Sequence, residues 1–117
     1  MSYIDGMVAA VPTANKDAYI AHASKAAVIF KKHGALSVVD CWGDDVPEGK
    51  INSFHTAVDR KEDETIVFSW ISWPDKATHD TGMQNAMIEM TETMSDMPMP
   101  FDGKRMIFGS FDVISET

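Results

Sequence analysis

A chain of 117 residues with a net charge of −8 has the size of one domain and lacks the positive field that nucleic acids and anionic membrane surfaces require. Its 44% hydrophobic and 24% charged residues are globular proportions, and no apolar run approaches the ~20 residues of a membrane helix. A lone Cys41, and an N-terminus without a basic segment leading into an apolar one, lead to the expectation of a soluble cytoplasmic protein.

Tyr3 to Val11 reads as a strand closed by Pro12. Its alternate positions divide into Tyr3, Asp5, Met7, Ala9 and Val11 on one side and Ile4, Gly6, Val8 and Ala10 on the other. Asn15 is placed to cap a helix whose apolar face is Tyr19, Ala23, Ala26 and Phe30, and Gly34 ends it. Leu36 to Trp42 is a second strand, followed by a turn-rich, solvated connector. Ser53 to Val58 fits a helical turn or a short strand equally well. Thr65 to Trp73, dense in β-branched and aromatic residues, is the strongest strand.

Pro74 stops that strand, and Asp75 is placed to cap a helix bearing Met83, Met87, Met90 and Met94 at helical spacing. The Met97 to Pro100 tract breaks the helix. A turn at Asp102-Gly103 leads into a last strand, Arg105 to Ile114. The order βαββαβ predicts one α+β, ferredoxin-like domain over residues 1–117, with an antiparallel sheet.

Right-handed crossovers put both helices on the same side of the sheet. The other face would be bare, and Asp5, Asp40, Trp42 and Trp70 are assigned to it together with Phe68 and Met7. A bare apolar face of that size calls for a second copy of the chain across a two-fold axis.

Three stretches carry a family resemblance: Asp40 to Lys50 (DCWGDDVPEGK), Val67 to Pro74 (VFSWISWP) and Met99 to Gly109 (MPFDGKRMIFG). Over essentially the whole chain the sequence resembles the YbaA-like bacterial proteins. That resemblance implies a homodimeric α+β-barrel and no particular activity. More distant relatives at the level of the superfamily include cofactor-independent monooxygenases, haem-degrading enzymes and lactone isomerases, but shared fold does not transmit function.

Asp5 and Asp40 are the sharpest chemical signal, because carboxylates are depleted in mid-strand. In a lumen, burial would raise their pKa and make one a general base. The plainer alternative pairs them with Lys104 or Arg105 and gives them a structural role. Trp42, Trp70 and Phe68 would stack on a flat ligand or merely fill an interface. His55, on the connector, is the candidate catalytic histidine.

His22 and His33 lie too far apart on their helix to share a metal, at about 16 Å, and His79 reads as a core-edge residue. The methionine stripe is explained by core filling rather than by copper. The acids at positions 40, 44, 45 and 48 lack a calcium-loop pattern. Cys41 is expected to face the helices as a buried thiol. No metal or cofactor motif is recognisable.

Two classes of function remain. In the first, a small, flat or acidic-carbon substrate meets cofactor-independent chemistry in which Asp40 or Asp5 takes a proton, Trp42 and Trp70 position a ring, and Arg105 or Lys104 stabilises the anion. In the second, a homodimer binds a ligand or serves structurally without catalysis. A haem-handling role lacks a histidine on the lumen face.

Overall fold

The computed structural model describes residues 2–117. Runs with two-residue apolar alternation become four strands: β1 (Tyr3–Pro12), β2 (Ser37–Trp42), β3 (Glu64–Trp73) and β4 (Ile107–Asp112). They form one sheet in the order β2-β3-β1-β4, antiparallel throughout. Helix α1 (Lys16–Lys32) links β1 to β2, and α3 (Lys76–Thr93) precedes β4. This is the ferredoxin-like α+β arrangement, with one added short helix, α2 (Phe54–Ala57), between β2 and β3. No helix among the described residues is long and apolar enough to cross a membrane.

Local chemistry sets the helix ends. Gly34 adopts φ +112°, its N–H reaches the Lys31 carbonyl, and the Ala35 N–H reaches that of Phe30. That pair of bonds closes α1 in the Schellman manner, which a residue with a Cβ resists. Asp75 caps α3 by accepting from the Thr78 N–H at 2.8 Å. Asn15 occupies the N-cap position of α1 but does not cap it. Its amide donates instead to the Pro100 carbonyl at 3.0 Å and ties the loop before β4 to the start of the helix. The ambiguous segment at Ser53 resolves as helix because Ser53 and Thr56 form a reciprocal capping box.

Both long helices pack on one face of the sheet. Trp73 lies at the centre of that layer with Ile29, Phe30, Ala86 and Met94 around it. Val11, Tyr19 and Val67 form a second cluster beside it. The methionine stripe is not uniform: Met83, Met90 and Met94 meet the core, whereas Met87 is exposed and Ala86 takes the inward position. At Gly82 the helices come close enough that a Cβ would stand 2.3 Å from the His33 carbonyl oxygen and 2.6 Å from the Trp73 ring. Glycine is therefore the residue that lets α3 close on the end of α1.

The face assignments made from sequence need correcting. Ala9, Val11, Val67 and Trp73 are fully or almost fully buried, and the last three pack in the clusters beneath the helices. Asp5 and Met7 alternate in phase with Ala9 and Val11, so they share that side. Asp40 and Trp42 do likewise, since Asp40 pairs with Ser69 and Trp42 with Val67. Phe68 and Trp70 occupy the opposite, open face, as expected. Cys41 pairs with Phe68 and is exposed there rather than buried.

A period of two sorts residues into two sets but does not say which set meets the helices. Asp5 is tolerated beneath the helices because polar partners wait for it there, whereas Asp40, on the edge strand β2, stays exposed. The connector over residues 43–63 also does more than solvate a turn. Its Val46 and Val58 cover one end of the open face against Val8, Ala10 and Ile66.

Candidate functional site

Beside the connector, the open face holds a hollow of about 740 Å³ walled by Phe68, Trp70, Ile107 and Phe111. Strand register explains its shape. One row across the sheet reads Val39, Trp70, Gly6, Gly109, so two strands in succession present no side chain next to a tryptophan. The row on one side is Cys41, Phe68, Val8, Ile107, and on the other Ser37, Ser72, Ile4, Phe111. Phe111 leans over the glycines: a Cβ on Gly109 would lie 3.2 Å from its ring, and one on Gly6 3.6 Å. Phe68 meets the Trp70 indole edge-on at 5.6 Å, and Phe54 of α2 meets Phe68 at 6.1 Å. This aromatic chain fixes the indole. Phe68 is 42% and Phe111 60% exposed, which leaves a wide apolar surface uncovered.

The aspartates belong to two polar stations on the helix side. Asp5 accepts from the Trp73 indole N–H at 2.9 Å and from the Ser110 hydroxyl at 2.6 Å, and it faces His79 Nε2 at 3.0 Å. His79 turns Nδ1 to Asp80 at 2.8 Å and packs edge-on against Tyr3 and Trp73. Asp5 thus joins β1, β3, β4 and α3 at one point. At the other station the Tyr19 hydroxyl donates to Asp40 at 2.8 Å. Burial, then the neighbouring carboxylate, pushes the Tyr19 phenol far above its usual range, so it stays a donor. Burial also lowers the pKa of nearby His22. Lys16 sits 5.6 Å above the Trp42 ring, closing that flank.

The expected pairing of the aspartates with Lys104 or Arg105 is replaced by another. Arg105 grips Glu64 through two bonds of 2.7 and 2.6 Å, and also reaches Asp102 and the Asp59 carbonyl. Glu64 is 4% exposed, and the guanidinium holds its carboxyl below the usual carboxylate range. Lys104 lies in the Asp102 turn, its backbone N–H bonded to the Asp102 carboxylate. His55 on α2 is half-buried, with Nδ1 enclosed and unpartnered, and it does not line the hollow. Among the described residues no group of three or more His, Cys, Asp or Glu is arranged to hold a metal ion.

Of the residues singled out from sequence, Phe68 and Trp70 come together at the hollow. Asp5, Asp40, Trp42, Lys104 and Arg105 lie elsewhere. Sequence reasoning missed the glycine pair, Phe111, and the partnership of Asp5 with His79. The last had a signal: His79 stands one turn before Met83, on the inward side of its helix, and Asp5 alternates in phase with Ala9 and Val11.

Fold and surface define an α+β protein of ferredoxin-like strand order whose open sheet face carries an aromatic-walled hollow. A family model described as "Protein of unknown function (DUF1428)" matches residues 2–103. Over 114 residues the chain is 49% identical to "Uncharacterized protein YbaA" of Escherichia coli (strain K12), covering 97% of both chains. The protein of the same description from Shigella flexneri matches to the same extent. The chain belongs to this DUF1428, YbaA-like family.

Proposed function

We propose that the chain works as a homodimer in which two open sheet faces meet across a two-fold axis and enclose a chamber for a small molecule. One observation carries this reading: a hollow of about 740 Å³ with aromatic walls lies on the part of the open sheet face that the connector leaves uncovered. A self-complementary apolar face is what an isologous interface requires. The family resemblance carries the same expectation of a second copy. The exposed Cys41 thiol on this face suits a reducing compartment such as the cytoplasm.

Binding is favoured over catalysis by where the acids point. Asp5 and Asp40 face the helices with hydrogen-bond partners in place, and Arg105 is held by Glu64 and Asp102. Trp70 and Phe68 keep the ligand-contact role, and the other candidates take structural ones. His55 does not line the hollow and takes no catalytic role in this reading.

Trp70→Glu tests the dimer. A carboxylate there cannot be desolvated against a second apolar face, so the dissociation constant is expected to rise at least ~30-fold, about 2 kcal/mol. Circular dichroism should remain that of a folded protein, because Trp70 lies outside the helix-side core. Self-association equal to wild type in sedimentation, or a wild type that stays monomeric at high concentration, would refute the dimer.

A further inference from the structure

Resting on the reading of this face as a chamber wall, we infer that the glycine-floored slot beside Trp70 takes a flat, uncharged aromatic molecule, stacked on the outer face of Phe111 with its edge against the indole. Three observations converge on that chemistry.

The first is shape. Gly6 and Gly109 are paired neighbours, so the floor spans two strands at ~4.8 Å spacing, and the flanking same-face rows stand roughly 7 Å away on each side. That footprint holds one aromatic ring, Phe111's own, so a ligand lies above that ring rather than on the floor itself. Phe111 already lays a ring over this floor, at ordinary to close van der Waals distance from where both Cβ atoms would be. The chain's own side chain therefore demonstrates what the slot accepts. The outer face of that ring is open, Phe111 being 60% exposed.

The second is rigidity. Trp70 is held by Phe68, and Phe68 by Phe54, in successive edge-to-face contacts. A ligand ring meets a wall already in position, which reduces the ordering cost of binding. Offset or edge-to-face contacts with such rings add to the affinity that area burial supplies.

The third is charge. No Lys, Arg or His lines the hollow, and its one charged residue is Asp112 at the rim. An anion would lose its hydration without gaining a partner, within a chain of net charge −8. The slot selects against carboxylates, sulfonates and phosphates.

A matched pair of probes tests this. N-phenyl-1-naphthylamine is uncharged, and 8-anilino-1-naphthalenesulfonate is the same skeleton with an added sulfonate. Titrated into the purified protein and followed by probe fluorescence, the neutral probe is expected to bind at least tenfold more tightly than the sulfonate. Phe111→Leu, which keeps apolar bulk and removes the ring, should weaken the neutral probe at least tenfold, and Phe111→Tyr should retain it. Equal or tighter binding of the sulfonate, unchanged affinity in Phe111→Leu, or no binding of the neutral probe would each overturn the inference. Sedimentation of the same samples separates the two claims. A dimer that binds no neutral probe refutes the ligand class alone. A monomer that binds it selectively refutes the dimer and leaves the slot standing.

Discussion

Trp73→Ala is expected to lower the unfolding free energy by about 4 kcal/mol in urea denaturation, the scale for removing a large buried aromatic side chain. Trp73 is 0% exposed and lies where α1, α3 and the sheet converge. Its ring edge abuts Gly82, which has no side chain to move into the space the ring would leave. The substitution also takes the indole N–H from Asp5, a carboxylate joined to Ser110 and His79. Trp73→Phe should recover part of the loss, since it restores ring volume but not the donor. A cost below about 1 kcal/mol for the alanine variant would mean that the helix layer does not depend on this residue.

Glu64→Gln is expected to cost about 3 kcal/mol at neutral pH, the lower end for breaking a buried pair by removing one partner. The charge of Glu64 is nearly enclosed, and Arg105 approaches it with two parallel bonds. The amide cannot accept both, and it leaves the guanidinium without its main counter-ion. The pH dependence follows from the direction of the shift. Arg105 depresses the folded-state pKa of Glu64, so the stabilisation is complete above the ordinary glutamate range. It declines once the pH drops below the ordinary glutamate range and is gone below the depressed folded value. Denaturation curves at pH 7 and pH 3 should therefore show wild type and Glu64→Gln converging in acid. A gap that persists undiminished at pH 3 would contradict the ion-pair account.

Elements with strong local chemistry were legible from the sequence. Asp75 and Gly34 mark helix ends through their own hydrogen bonding and backbone freedom, and the Thr65 to Trp73 run could be little other than a strand. The element order pointed to the ferredoxin-like arrangement, and the handedness of its two crossovers put both helices on one side of the sheet. What was not legible was the choice between the two faces of β1 and β2. Alternation put Asp5 with Ala9 and Val11, but the small size of those residues hid how deeply they are buried. The aspartates looked like site residues because their partners, Tyr19, His79, Ser110 and Trp73, are 21 to 105 residues distant. The glycine floor of the hollow was missed for a related reason. It is made by glycines meeting across a strand pair, and that register depends on tertiary pairing.

The central claim is that the aromatic sheet face, and not some other surface, is covered by a second copy. Hydroxyl-radical footprinting read by mass spectrometry at low and high protein concentration tests it most directly. Oxidation of Phe68, Trp70 and Phe111 is expected to fall severalfold as concentration rises. Met87, exposed on the helix side, should be oxidised at the same rate throughout and so serves as the internal reference. Equal oxidation of the three aromatic residues at both concentrations, or protection of Met87 in their place, would contradict the account.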